Sequence, residues 1–540
     1  MPTSRRSFMT QSGLSLAFTP LGFSQAEGQS SPKIVDGIIG ETVAQSEGKK
    51  ILQEGGNVVD AIITAAATSA ITSPQMCGFG GYGGHLILAL ENGKKITCFD
   101  FNTQAPKASK PDMFLASGKP NLESHSFGWL SFGVPGILAG LFQALKKYGT
   151  ISWRRALSPA IHYCENGFMP SLALTTALRN ATRLFKDPTS KKLYFPQGKQ
   201  SADSPSLIKN PALAKLLNAL AEDNSVAPFY QGEFAKKFAN FVQANQGILS
   251  YEDLASYKAI ESEPLRFAWN DFEVCTAPLT SGGFTILETL GILKQLDLKS
   301  LAPQDQLFAR IESLRLAWRD RLKFLGDPLV SKIPQDKFLS ISYHKEAAEK
   351  ISAAVKSGKC LPPDKPTMTQ NGTINLSAFD RPGNMAALTL THGGYFGSQV
   401  SIEPLGLTLG HGMSRFNIQP DHPNSVAPNK RPLNNMCPTV LLQNSKTVAA
   451  LGGRGGRKIP NAVFEVVFQM INNAKELPEA INSPRIHTEG NLEVELEKEW
   501  PKEYLQALNN HGLKTLTSSS ANVSAVGKST SKGTFQVLQR

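Results

Sequence analysis

No stretch of this 540-residue chain is long and apolar enough to span a bilayer, which takes about 20 consecutive apolar residues. The six cysteines (Cys77, Cys98, Cys164, Cys275, Cys360 and Cys437) lie far apart, with no Cys-x-x-Cys pair. That excludes a disulfide scaffold and a thiolate metal site, while pairing of individual cysteines stays open. His85, His392, His411, His422 and His487 fall at no recognised ligand spacing, so no metal and no cofactor is expected. The formal charge is +12, yet the lysines are scattered and no basic run is interleaved with aromatics. A solvated basic surface follows, with no nucleic-acid partner, and an anionic small substrate is compatible. Repeats and low-complexity segments are absent, and a 41% hydrophobic, 19% charged composition is that of a globular protein.

The amino terminus carries Ser4-Arg5-Arg6-Ser7-Phe8-Met9, a modest apolar stretch over 13–23 and a small-residue site at Ser24-Gln25-Ala26. This pattern reads as a twin-arginine signal peptide over residues 1–26, so the mature protein is expected to be periplasmic or secreted. Removing Arg5 and Arg6, the only charged side chains there, leaves +10.

Periodicity then marks a mixed α+β chain. Residues 41–72 read as helical, punctuated at Glu54-Gly55-Gly56 and reopened by Asn57. A glycine loop over 77–84 leads into a strand at 85–90, a turn at Asn92-Gly93 and a returning strand at 96–101. The glycines of that loop formally match G-x-G-x-x-G, but they follow a helix and precede a strand, the reverse of the dinucleotide-binding order. Asn210-Pro211 and Ser250-Tyr251-Glu252-Asp253 open further helices, and 304–325 is amphipathic. Pro362, Pro363, Pro366 and Asn371-Gly372 mark a loop, after which the pattern alternates like a strand.

The chemistry concentrates there. Thr373, Asn375 and Ser377 alternate with Ile374, Leu376 and Ala378, and a turn at 380–384 leads to Met385 through Thr391. Folding this hairpin about Pro382 sets Thr391 opposite Thr373, unless a bulge shifts the register by one. An internal threonine hydroxyl is a poor nucleophile without an adjacent base. Cutting the Gly372–Thr373 peptide frees an α-amino group with a pKa of about 7.7–8, able to take the proton of its own side chain. Gly372 suits the cut, because a residue without a side chain lets the hydroxyl reach the preceding carbonyl. Further on, Gly452-Gly453-Arg454-Gly455-Gly456-Arg457 follows a strand, and backbone N–H groups freed by paired glycines are natural oxyanion donors. Taken as residues alone, Asn371-Gly372 is most often an ordinary turn ahead of a plain strand threonine, and Asn371-Gly372-Thr373 also matches a glycosylation sequon.

The ordered motifs Gly55-Gly56-Asn57-Val58-Val59-Asp60-Ala61, Gly78 to Gly84, Gly133-Val134-Pro135-Gly136, Leu249 to Leu254, Ser281-Gly282-Gly283, Pro428-Asn429-Lys430-Arg431-Pro432-Leu433 and Gly455-Gly456 resemble the γ-glutamyltranspeptidase (glutathione hydrolase) family. The likeness runs from about Ile34 to the end. It implies a four-layer αββα sandwich of the N-terminal-nucleophile hydrolase type, made as a proenzyme. Residues 27–372 would form a large subunit and 373–540 a small catalytic one. It further implies Thr373 as nucleophile, Thr391 as its supporting threonine, Gly455 and Gly456 as oxyanion donors, and a small-molecule amide as substrate.

The departures from the family pattern cluster in the substrate pocket. Asn102 stands where the family has an arginine for the substrate carboxylate, and Gly393 follows the second threonine region where asparagine is usual. Gly412 and Arg415 replace a glutamine and an aspartate that help hold the glutamyl amine, and Asn434-Asn435 replaces a serine pair. An ammonium meeting a guanidinium at about 4 Å is repelled by roughly 4 kcal/mol at an effective dielectric of 20. The expectation is therefore a self-processing amidohydrolase with altered acyl specificity. Standard γ-glutamyl transfer is the alternative, and a non-catalytic family member the second.

Overall fold

The computed structural model describes residues 36–181, 185–195, 206–363, 372–529 and 533–540. The signal expected at 1–26 and most of the loop before Gly372 lie outside them. Two six-stranded antiparallel sheets lie face to face. The first runs, edge to edge, through Gly37–Ile39, Ile374–Phe379, Met385–Thr391, Gly83–Leu90, Lys95–Asp100 and Ile260–Ser262. The second runs through Phe535–Gln539, Asn522–Lys528, Lys446–Arg454, Thr439–Gln443, Phe272–Thr276 and Leu265–Trp269. Both sheets therefore combine strands from before and after Thr373. Residue 372 is no spatial boundary, and 34–540 forms one compact unit.

Helices cover the outer faces. Val58–Thr72 is buried along its whole length because Ala and Ile let it sit between the first sheet and an outer layer. Its start is fixed by a reciprocal cap, Asn57 accepting from Asp60 N–H while Asp60 accepts from Asn57 N–H. Ile374, Leu376, Ala378, Leu388 and Leu390 point into this helical layer with Ile62, Ile63 and Leu141. Gly283–Leu293, Pro303–Phe324 and Ile459–Ile471 cover the second sheet around Leu441, Leu451 and Val523. Ile87, Cys98, Met385, Cys275 and Val440 fill the space between the sheets. Each large apolar side chain so buried contributes about 1.5–3 kcal/mol, which fixes which face of every strand turns inward. Among the described residues no helix is long and apolar enough to cross a membrane.

The hairpin register follows the count about Pro382. Met385 pairs with Phe379, Leu388 with Leu376 and Leu390 with Ile374, without a bulge. Asp380 secures the turn, accepting from Val58 N–H at 3.1 Å, Asn384 N–H at 3.0 Å and the Asn384 amide at 2.9 Å. The polar face of Ile374–Phe379 turns to the second sheet. There Ser377 Oγ donates to the Ser524 carbonyl at 3.0 Å, and a Cβ on Gly452 would lie 2.2 Å from Asn375 Oδ1. Gly452→Val is therefore expected to push the sheets apart. Its cost is about 1–3 kcal/mol, read as a lower urea midpoint for loss of tryptophan fluorescence.

Candidate active site

At the open end of the hairpin, Thr373 Oγ1 donates to Thr391 Oγ1 at 3.2 Å. Thr391 Oγ1 in turn donates to the Gly372 carbonyl, the acyl oxygen of the Gly372–Thr373 peptide, and accepts from Gly393 N–H at 2.7 Å. Both threonines are buried. Gly372 has φ +133°, and a Cβ there would run 2.5 Å from the Gly394 carbonyl carbon, so only glycine fits before Thr373.

The second sheet brings the paired glycines to the same edge. Thr447 Oγ1 donates to the Gly383 carbonyl at 2.7 Å, while Gly452 packs on Asn375. The Lys446–Arg454 strand thus crosses the inner face of Ile374–Phe379 in the opposite sense. Continuing both strands carries Gly372-Thr373 and Arg454-Gly455-Gly456 toward one end of the sandwich. Gly455 precedes a single 3-10 turn, Gly456–Lys458, that leads into the Ile459–Ile471 helix. Asn375 is held rigidly beneath, accepting from Thr389 Oγ1 at 2.9 Å and donating to Ser377 Oγ at 3.2 Å.

The pocket candidates separate into two kinds. Asn102 is fully buried and donates to Thr280 Oγ1 at 2.9 Å and the Pro432 carbonyl at 2.8 Å. Asn434 donates to Thr280 Oγ1 at 3.2 Å, lies 2.9 Å from His85 Nε2 and accepts from Met436 N–H at 3.1 Å. Both amide nitrogens are engaged within the protein, while Asn102 Oδ1 is buried without a hydrogen-bond partner among the described residues. Asn435 is half-buried, and its side chain bonds to no described residue. Arg415 turns inward. Its guanidinium lies 5.8 Å over the Tyr82 ring and donates to the Gly393 carbonyl, two residues from Thr391. Burial pushes its pKa down to about 10, an effect Tyr82 opposes and Arg457 adds to. Among the described residues no three His, Cys, Asp or Glu side chains converge to hold a metal.

The family profile for gamma-glutamyltranspeptidase matches residues 44–537. The glutathione hydrolase proenzyme of Escherichia coli is 32% identical over 498 residues, 88% of this chain and 84% of that protein. The chain belongs to the gamma-glutamyltranspeptidase family. The acylase ACY 1 proenzyme of a Pseudomonas species is 28% identical across 88% of this chain and 86% of its own. The cephalosporin acylase of Bacillus halodurans superposes with a TM-score of 0.83 at 22% identity, covering 97% of this chain and 99% of that one. The gamma-glutamyltranspeptidase of Helicobacter pylori gives 0.55 at 29% identity, covering 64% of this chain and 95% of its own. The protein is accordingly an N-terminal-nucleophile-type amide hydrolase of this family, and the αββα architecture is the family's.

Several residues around this gamma-glutamyltranspeptidase-family site escape a reading of one sequence. Tyr82 lies in the glycine loop, yet nothing local says that it supports Arg415. Arg431 bonds Asp100 at 2.9 Å and the Lys258 carbonyl at 2.7 Å, and its N–H donates to Asp327 at 2.8 Å. His411 fills the space beside Gly393, and burial followed by the Arg415 charge pushes its pKa down to about 3. Gly393 has φ +94°, and a Cβ there would lie 2.3 Å from His411 Cδ2 and 3.3 Å from Arg415 Nη2. The glycine, histidine and arginine thus fit one another as a set. Gly393→Asn is expected to destabilise by about 1–3 kcal/mol. A double-mutant cycle with His411→Ala should recover at least half of that; additive losses would show that the two do not share the space.

Proposed function

We propose that this enzyme cuts itself between Gly372 and Thr373 and then uses Thr373, with its freed amine, to hydrolyse small amides through an acyl-enzyme. One observation carries the reading: the Thr391 hydroxyl bridges the Thr373 hydroxyl and the Gly372 carbonyl. In the uncut chain Thr373 Oγ attacks the Gly372 carbonyl carbon. Its proton passes to Thr391 Oγ as Thr391 gives its own to the forming oxyanion. Collapse re-forms the carbonyl as its hydroxyl proton passes to the Thr373 nitrogen, which leaves as an amine; the resulting Gly372 ester is hydrolysed by water to a Gly372 carboxylate and the free Thr373 hydroxyl. The Gly393 N–H bond to Thr391 Oγ1 keeps that hydroxyl aimed through both steps.

In the mature enzyme a substrate carbonyl takes the place that Gly372 held. The α-amino group of Thr373 accepts the hydroxyl proton and returns it to the leaving amine. Gly455 and Gly456 supply N–H donors to the oxyanion, each such donor worth roughly 3–4 kcal/mol in the transition state. Water then releases the acyl group. Arg415 sets the acyl preference, because a guanidinium on the Gly393 carbonyl repels the ammonium of a γ-glutamyl group. The identity to a glutathione hydrolase proenzyme favours γ-glutamyl transfer as the second reading. Residues 1–26 would export the precursor to the periplasm or beyond, and the two subunits of one precursor would remain partners.

Thr373→Ala should stay a single chain on a denaturing gel and lose turnover, whereas Thr373→Ser should still mature. A Thr373→Ala protein that yields both fragments and hydrolyses amides at the wild-type rate would end this reading. Thr391→Ala should slow fragment formation at least tenfold, about 1.4 kcal/mol of barrier, with Thr391→Ser restoring most of it. Activity of the mature enzyme should rise with pH through about 7.7–8, as the α-ammonium becomes a neutral base. A profile flat from pH 6 to 9 would argue that another group takes the proton.

A further inference from the structure

The two glycines proposed as oxyanion donors open a short turn whose next two residues are both cations. The Gly455 and Gly456 carbonyls face into the turn, accepting from Lys458 and Ile459 N–H, while neither glycine N–H bonds to another described residue. Gly455 has φ +138°, and a Cβ there would lie 2.8 Å from Ala521 Cβ. Backbone this permissive does not keep a direction by itself. The side chains that follow supply it.

Arg457 Nε donates to Glu489 Oε2 at 2.6 Å, in a pair largely shielded from solvent, and its guanidinium lies 5.1 Å from the Trp318 ring. The other Glu489 oxygen lies 3.2 Å from His487 Nε2, so both carboxylate oxygens are engaged. Lys458 Nζ bonds Glu495 and donates to Ser518 Oγ and the Ser519 carbonyl, each at 2.8 Å. The two carboxylates share one base. Glu495 lies in, and Glu489 connects two strands of, the small sheet Ile486–His487, Glu493–Leu496 and Lys514–Thr517.

That connection is braced in turn by the Pro303–Phe324 helix, from the other side of residue 372. Arg315 Nε donates to the Asn491 carbonyl at 2.7 Å, and a Cβ on Gly490 would lie 3.3 Å from the Arg315 carbonyl oxygen. Asn461 accepts from Trp318 Nε1 at 2.5 Å and donates to the Thr488 carbonyl at 2.9 Å. Removing one partner of a shielded ion pair leaves the other charge uncompensated, so such a pair dictates geometry even where it adds little net stability. Two adjacent cations drawn to two carboxylates on one base fix the rotation of the turn as well as its position.

We infer that Glu489 is a positioning residue: through Arg457, and with Lys458–Glu495 as a second stay, it aims the Gly455 and Gly456 N–H groups at the oxyanion. This rests on the oxyanion role given to the glycines above and names what keeps their donors on target. Glu489 acts through Arg457 and not on the reacting atoms. Self-cleavage, whose oxyanion takes its proton from Thr391, does not call on this turn, so the two reactions of the chain respond differently to its loss.

The probe is p-nitrophenyl acetate, an activated ester with no headgroup, read as p-nitrophenolate release above the Thr373→Ala background. Acylation and deacylation both pass through the oxyanion. In mature Glu489→Gln, kcat should therefore fall at least tenfold with KM within twofold of wild type. Its precursor should form both fragments within twofold of the wild-type rate. Methylboronic acid, whose tetrahedral adduct on Thr373 copies the oxyanion, should lose affinity at least tenfold, while acetate should not. Unchanged kcat and boronate affinity would overturn the proposal, and so would equal losses in kcat and in fragment formation, which mark general loosening of the fold. Should that variant fail to fold, Arg457→Lys keeps the charge without the guanidinium plane and should show the same split; wild-type kcat there overturns the proposal. If the wild type releases no more p-nitrophenolate than Thr373→Ala, the hydrolase reading itself has failed.

Discussion

The site depends on the pairing register of two neighbouring strands. Thr391 can touch both the Thr373 hydroxyl and the Gly372 carbonyl only while Leu390 faces Ile374. Because side chains alternate across a strand, a slip of one residue would turn Thr391 toward the helical layer and bring Leu390 to the Gly372 carbonyl. Two constraints far from the chemistry prevent it. At the turn, Asp380 ties the hairpin to the first residue of the Val58–Thr72 helix. On the inner face, Asn375 is locked between Thr389 and the space left by Gly452. Leucines pointing outward and amides pointing inward therefore enforce the same alignment.

The glycines of the site divide the labour with its arginines. At Gly372 and Gly393 the missing side chain makes room for a neighbour's backbone or ring. The space at Gly393 is filled by His411 and approached by Arg415, so the loop carrying the charge and the turn carrying Thr391 are fitted together. The Arg415 guanidinium and the Thr391 hydroxyl consequently bond to the same residue, Gly393, at its carbonyl and its N–H. A substitution at Arg415 is therefore structurally coupled to the turn that aims the Thr391 hydroxyl.

How much of this a single sequence discloses depends on the range of the interaction. Local chemistry is legible. Asn57 and Ser250 cap helices where their side chains predict, and counting outward from Pro382 predicts the pairing that the two strands adopt. Alternation from Thr373 separates the polar face from the apolar one, and the structure turns them to opposite layers. Pairing across hundreds of residues is not legible. Asn102 looks free to meet a substrate until Thr280 and Pro432 are seen to hold its amide. Arg321 and Arg457 belong to unremarkable helix and turn sequence until both are found against Trp318. The proline-rich loop marks a break in composition but not in space, since sheet order is decided by which strands pair rather than by where composition changes.

That sharing of sheets has a consequence for a chain severed at 372. The Ile374–Phe379 strand is zipped to Gly37–Ile39 on one side and, through Met385–Thr391, to Gly83–Leu90. In the other layer Thr439–Gln443 is zipped to Phe272–Thr276. Each piece thus supplies strands to both sheets of the sandwich, and neither owns a complete interior. Dilution alone would not part them. Their separation would have the energetics of denaturation, and a cut that looks like disassembly on paper would leave one indivisible body.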